Sequence, residues 1–392
     1  MKTVEFSLAP ETLMITELLG KSKEELREFC MALGEPAFRG AQIYHALYAE
    51  RKFDVRQITN LPAALRERLS KEARVTLPEV KQRFASTDGS VRYLFGLPGG
   101  EEKLARPASV EAVFMPSEGR QTICISTQAG CAVDCHFCLT AQLGLIRNLT
   151  AGEILAQVLL ALEEAHRGTR IEEKDGGLKP AATKSGLAPQ TNIVLMGQGE
   201  PLLNFEPVME AVRIMLDPAG LGISPKHVTL STSGIVPGIE RLAQEKVRPK
   251  LAISLNASND EQRDALMPIN KKYPLAALIS ACKDYPLRTW EHLTFEFVML
   301  GEVNDTAEDA RRVVRLLAPL KSVKVNLIPW NPGELSYHES SPERIEEFRR
   351  ILVERGVPAF VRYSRGRDVM AACGQLALLQ IDGAPLSVVS PR

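Results

Sequence analysis

The run Thr122-Ile-Cys-Ile-Ser126, continued by Thr127-Gln-Ala-Gly130 and then by Cys131-Ala-Val-Asp-Cys135-His-Phe-Cys138, decides how this chain is read. The β-rich segment Thr122 to Ser126 feeds the turn residues Gln128 to Gly130 and a loop with three cysteines at CxxxCxxC spacing. Iron–sulfur clusters are ordinarily held by four thiolates, so three close cysteines fix three irons of a cubane and leave the fourth open to a small chelating ligand. The same three joined by Cys124 or His136 would instead make a tetrahedral zinc knot. Structural zinc sites usually pair two short ligand clusters across a longer loop; here there is one cluster, with no second CxxC and no HxxxH.

Outward from that loop, the chain has 392 residues, 45% apolar and 24% charged, the balance of a soluble globular protein with length for roughly two or three domains. Met1 to Met14 contains acids and lacks an apolar core of signal-peptide length. No window approaches the roughly 18 uninterrupted apolar residues of a membrane helix, so a cytoplasmic protein with no membrane partner is expected. Seven cysteines, an odd number, suit a reducing compartment better than a secreted disulfide framework. Cys30 and Cys282 sit among apolar neighbours at helical spacing and should be buried, inert thiols. Formal net charge is zero, so attraction to a polyanion must come from a local patch.

Residues 1–105 read as a largely helical unit. Ser22-x-x-Glu25 is a capping box before the amphipathic stretch Glu24 to Leu33, and further helices are expected at Gly40 to Arg51 and Leu61 to Glu72. Alternation from Arg83 to Leu97 about Asp88-Gly89 predicts a hairpin joining this unit to the next. From Val110 to residue 363, β-rich runs alternate with helical ones, the pattern of βα units around a parallel sheet. Strands are expected at Thr122–Ser126, Asn192–Met196, His227–Ser231, Lys250–Leu255, Leu293–Met299 and Val323–Ile328, enough for a partial barrel. Thr150-x-x-Glu153 and Ser341-Pro342 mark helix starts. Arg167 to Gln190, rich in Gly, Lys, Ala and Pro, breaks the rhythm and reads as a mobile surface insertion.

Gly197-Gln-Gly-Glu-Pro201 directly follows the apolar strand Ile193 to Met196, where glycines permit close backbone approach and a carboxylate can accept from an ammonium group. Ser231-Thr-Ser-Gly234, Ser254-Leu-Asn256 and Asn326 stand at the next strand ends, and their recurrence in phase with the sheet favours a nucleoside-sized ligand. The cysteine spacing and the Gly197 loop resemble those of radical S-adenosylmethionine (SAM) enzymes. Cys124-Ile-Ser-Thr-Gln-Ala-Gly-Cys131, Met196-Gly-Gln-Gly-Glu-Pro-Leu-Leu-Asn204, Ser231-Thr-Ser-Gly234, Asn326-Leu-Ile-Pro-Trp-Asn331 and Ala371-Ala-Cys-Gly-Gln-Leu376 occur in order. Together they resemble the RlmN family of RNA adenine C2 methyltransferases, over nearly the whole chain. Pro36-Ala-Phe-Arg-Gly-Ala-Gln-Ile43 resembles the family's N-terminal RNA-binding helical domain.

The resemblance implies an α/β fold: a partial (βα)6 barrel radical SAM core at 106–363, an N-terminal RNA-binding domain at 1–105 and a C-terminal segment, 364–392, carrying the methyl-accepting cysteine. It implies a [4Fe-4S] cluster on Cys131, Cys135 and Cys138, with SAM contacts from Gly199, Glu200, Ser231, Ser254, Leu255, Asn256 and Asn326. Two SAM molecules would be used per turnover: one methylates Cys373, and the other, at the cluster, gives the 5'-deoxyadenosyl radical that activates the S-methyl group. Glu111 resembles the base that removes the C2 proton, and Cys124 the thiol that releases product through a transient disulfide with Cys373. The implied partners are 23S rRNA, tRNA and an electron donor such as flavodoxin. Arg362, Arg365 and Arg367 would lower the Cys373 thiol pKa. Gln198 stands where the family carries Met and Asn256 where it carries His, both near the expected SAM site. The rival readings are C8 methylation, as in the related Cfr group, a radical SAM enzyme for protein or small molecules, and a zinc-stabilised RNA-binding protein without catalysis.

Overall fold

The computed structural model describes residues 15–98, 108–175, 190–332 and 335–376. Ten strands form its main sheet: β1 (Glu79–Ala85), β2 (Val91–Gly96), β3 (Ser109–Ser117), β4 (Arg120–Cys124), β5 (Gln190–Leu195), β6 (Val228–Thr232), β7 (Lys250–Ser254), β8 (Leu293–Met299), β9 (Val323–Pro329) and β10 (Ala359–Val361). They lie side by side in the order of the sequence. The first four pair antiparallel. From β4 to β10 every pairing is parallel. Parallel neighbours need a crossover rather than a tight turn, and helices supply it. Among them are Ala151–Asp175 before β5, Phe205–Leu216 before β6, Ala307–Leu317 before β9 and Pro342–Glu354 before β10.

The sheet is the expected partial barrel with two additions. A seventh parallel strand, β10, is only three residues long, and the hairpin β1–β2 continues the barrel's own sheet through β3. Gln128–Gly130, read from sequence as a turn, is a short strand paired antiparallel with Leu145–Asn148, closing the cysteine loop at its base. The helix Ala151–Asp175 runs through the first part of the expected surface insertion, and residues 176–189 lie outside the described residues.

Alternation explains how the barrel is filled. In β8, Leu293, Phe295, Phe297 and Met299 point to the helical layer and are at most 1% exposed. Phe297 meets Phe348 of the helix Pro342–Glu354 with ring centroids 5.1 Å apart. Each buried phenyl stabilises by about 1.5–3 kcal/mol. The other face of β8, with Glu296 and Val298, looks into the barrel.

The N-terminal helices Lys23–Ala32, Phe38–Tyr48 and Ala63–Glu72 share one hydrophobic core with the barrel. A Cβ on Gly40 would lie 2.4 Å from the backbone of Leu26 and Arg27, so this glycine lets two helices cross in backbone contact. Ser22 and Glu25 form the reciprocal capping box their spacing implies, as do Thr150 and Glu153. Cys30 and Cys282 are buried, and burial pushes their thiols up to about 11 and about 12.

Candidate active site

Five of the seven cysteines line one cavity of about 370 Å³ at the carboxyl ends of the parallel strands: Cys124, Cys131, Cys135, Cys138 and Cys373. Each arrives by a different local device. Cys124 ends β4 and points inward by strand alternation. Cys131 follows the short strand Gln128–Gly130, with its N–H donating to the Gly144 carbonyl at 3.0 Å, and Cys138 donates back to Cys135 at 3.1 Å. Cys373 is brought in by bonds to its own backbone and its neighbours' from the residues just after the cysteine loop and from Asn331. Leu139 N–H donates to the Gly374 carbonyl (2.8 Å), Thr140 Oγ1 to the Leu376 carbonyl (2.6 Å) and Asn331 Nδ2 to the Cys373 carbonyl (3.2 Å).

The segment before Cys373 is held by the β1–β2 turn. Asp368 accepts from Ser86 Oγ (2.6 Å) and Thr87 N–H (3.0 Å), and Asp88 accepts from Gly366 N–H (3.0 Å). These bonds span 278 to 282 residues of sequence. They also explain an overturned expectation. Arg365 is drawn to Asp88, Arg367 to Glu339, and Arg362 donates to Asn326 Oδ1 at 3.2 Å, so none of the three lowers the thiol pKa. Cys373 opens onto the cavity, yet enclosure, Glu296 and Cys138 push its thiol up to about 11.

Glycine and serine set the opposite wall. Gly199 has φ +97°, and a Cβ there would lie 2.5 Å from Gln128 Cβ. Ser126, fully buried, accepts from Gln198 N–H (2.8 Å) and donates to the Glu111 carbonyl (2.6 Å), pinning the Gly197–Pro201 loop to β3. Glu200 lines the cavity while accepting from Ser233 N–H (2.6 Å), Ser233 Oγ (2.7 Å) and Leu202 N–H (3.0 Å). Burial nonetheless raises its carboxyl pKa. Ser231, Ser254 and Asn256 line the same wall. Asn256 is already engaged, accepting from Val298 N–H at 2.9 Å and donating to Met267 Sδ at 3.3 Å.

Three expected site residues stand elsewhere, and so does Gln198. Leu255 is fully buried on the side of β7 away from the cavity. Asn326 sits one layer down, donating to Glu296 Oε1 at 3.0 Å. Gln198 packs under β3, with Oε1 accepting from Glu111 N–H at 3.3 Å, and does not face the cavity. Glu111 is neither solvated nor on an edge: β3 lies inside the sheet, and the carboxylate pairs with Arg92 at 2.9 Å, both groups out of solvent.

Glu296 was not anticipated. It is a buried carboxylate on the cavity wall, its pKa raised by burial, and its one signal was an acid inside the apolar run Leu293 to Met299. Arg92 was likewise missed, since nothing local in its sequence marks it, and Asn331, although quoted at the end of the Asn326-Leu-Ile-Pro-Trp-Asn331 motif, was given no role.

The donor set suits an iron–sulfur cluster. Burial raises the Cys131 and Cys135 thiols, and crowding adds to it, Cys131 feeling Cys138 and Cys135 feeling both other loop cysteines. A cationic metal cluster relieves that repulsion by taking the thiolates as ligands. Among the described residues no three His, Cys, Asp or Glu side chains are gathered closely enough to hold a metal ion, so the three loop cysteines would draw together on the cluster they would bind. His136 lies instead beside Asp134, at 3.9 Å.

The profile of the Ribosomal RNA large subunit methyltransferase N-terminal domain matches residues 16–75, and that of the Radical SAM superfamily matches residues 181–316. The chain is 46% identical over 361 residues to the Koribacter versatilis protein named "Probable dual-specificity RNA methyltransferase RlmN", covering 88% of this chain and 96% of that one. It is 44% identical to the dual-specificity RNA methyltransferase RlmN of Anaeromyxobacter dehalogenans, covering 92% and 91%. A solved radical SAM methyltransferase from Sphaerobacter thermophilus superposes with a TM-score of 0.79 at 40% identity, over 92% of this chain and 99% of that one.

Proposed function

This chain belongs to the RlmN family of radical SAM RNA methyltransferases, and on that premise we propose that it methylates carbon 2 of adenine in 23S rRNA near the peptidyl transferase centre, and in tRNA at position 37. The observation that carries this reading is that Cys373, more than 230 residues further along the chain, meets Cys124 and the three-cysteine loop on one cavity. Family membership rules out the zinc-stabilised, non-catalytic reading.

Cys131, Cys135 and Cys138 would hold the cluster, and Gly199, Glu200, Ser231, Ser254 and Asn256 would seat SAM. When bound, these groups would supply radical chemistry, which an electron-poor, non-acidic C–H position requires. Cys373, protonated at rest, would accept a methyl group from one SAM once its proton has left, the thiolate being the competent nucleophile, and would carry it to the base while a second SAM is consumed. Cys124 stands ready to take Cys373 into a disulfide as product leaves, and the electrostatic influence of Cys373 on its thiol supports their closeness. Glu111 takes the C2 proton once released from Arg92. Residues 1–105 would grip RNA, and a flavodoxin-like donor in the cytoplasm would supply the electron. Among the described residues no helix is long and apolar enough to cross a membrane.

The test is nucleoside mass spectrometry of rRNA and tRNA after incubation with cluster-loaded protein, SAM and a reductant. 2-Methyladenosine in both is expected. 8-Methyladenosine alone would move the enzyme to the Cfr type of regiochemistry.

A further inference from the structure

The other end of the barrel carries a second recess. Lys226 precedes β6, Lys250 opens β7, Trp290 and His292 precede β8, and Lys324 is the second residue of β9; together they line a space of about 300 Å³ at the amino ends of the strands. The thiol cavity is at the carboxyl ends of the same strands.

No carboxylate lines this recess, and among the described residues none of its three lysines has an ion pair. Lys250 and Lys324 are only partly exposed. Burial and then Lys324 push the Lys250 pKa down, against Glu291; burial and then Arg362 push Lys324 down, against Glu296. Both carboxylates are committed elsewhere. Glu291 is shared by Arg248 and Arg288 at 3.3 and 3.4 Å, and Glu296 accepts from Asn326. Trp290 adds an aromatic wall, with Lys226 Nζ and Arg288 Cζ each 5.4 Å from its ring. Half-buried ammonium groups without a counter-ion repel one another, and an anion in the recess removes that cost. A chain of zero net charge that acts on a polyanion must also concentrate its cations locally.

We propose that this recess binds a phosphate group, from a backbone phosphodiester of the RNA or from a free phosphorylated small molecule. The RNA source rests on the RNA-modifying function proposed above; the free-anion source does not.

Full-length wild type is compared with Lys250→Gln/Lys324→Gln and with the charge-keeping Lys250→Arg/Lys324→Arg, which guards against a mere packing defect. In the first arm, inorganic phosphate at constant ionic strength should raise the thermal midpoint of wild type and the Arg variant, with affinity at least tenfold weaker in the Gln variant. In the second, affinity for a substrate stem-loop RNA is measured against salt. If the lysines contact RNA phosphates, the log–log slope falls by about one for each lysine removed. A fall in slope assigns the site to RNA, and lost phosphate protection with an unchanged slope assigns it to a free phosphorylated ligand. Phosphate protection that is absent or equal in all three proteins, together with an unchanged slope, overturns the proposal. Neither readout requires methyl transfer, so failure of the proposed methylation is scored separately.

Discussion

Arg92 Nη1 lies 2.9 Å from Glu111 Oε1 across neighbouring strands, with 1% and 0% side-chain exposure. The same Nη1 reaches the Met370 carbonyl at 3.5 Å, so one guanidinium joins the proposed proton acceptor to the segment carrying Cys373. Removing one partner of such a pair leaves a charge buried without compensation. Arg92→Ala should lose about 3–5 kcal/mol in urea unfolding, while removing both charges with Arg92→Leu/Glu111→Leu should recover most of it. Glu111→Gln should form the RNA–protein adduct and fail to resolve it, seen as a shifted band on a denaturing gel; normal turnover would remove Glu111 from the reaction.

Cys373 should be a neutral thiol at physiological pH, because its surroundings push the pKa from 9.0 to about 11. Alkylation at its peptide, followed by mass spectrometry, should climb about tenfold per pH unit from neutrality and level off only near that value. The linkage has the corresponding sign: stability from the uncharged thiol is complete below the ordinary value and is lost as pH rises through the folded one. A plateau already at pH 8 would contradict this electrostatic picture.

Gly199→Ala places a methyl 2.5 Å from Gln128 Cβ at a φ of +97°. Either the loop shifts or Gln128 does; the loop forms the wall proposed to hold SAM, and Gln128 Oε1 steadies it by accepting from Glu200 N–H at 2.8 Å. Reductive formation of 5'-deoxyadenosine should fall below detection while the circular dichroism spectrum stays unchanged.

The two distant thiols should fail differently. Cys373→Ala should still cleave SAM reductively yet make no methylated nucleoside, and Cys124→Ala should leave RNA covalently held on Cys373. Loss of cleavage in the Cys373 variant would argue against its role as methyl carrier.

Strand positions were legible because alternation and length mark them: β8 falls on its expected residues, and β5, β6 and β9 shift by one or two. β10, at three residues, is too short to leave a periodic trace. The cavity was harder to read. Leu255 was named with its neighbours Ser254 and Asn256, although adjacent strand residues face opposite ways. Asn326 is on the inward face but too deep, and its place at the wall goes to Glu296. The arginines near Cys373 misled because closeness in sequence is not closeness in space; carboxylates 28 and 277 residues away claim two of them.

Because each strand of the main sheet lies beside its neighbour in sequence, the barrel can assemble by accretion, each step closing one hairpin or one crossover rather than most of the chain. The seat of Cys373, the proposed methyl carrier, has the opposite character, since Ser86 must find Asp368 across nearly three quarters of the polypeptide. It is therefore the last part of the enzyme to be armed and the first to be disarmed by mild denaturant or heat, so inactivation should run ahead of global unfolding.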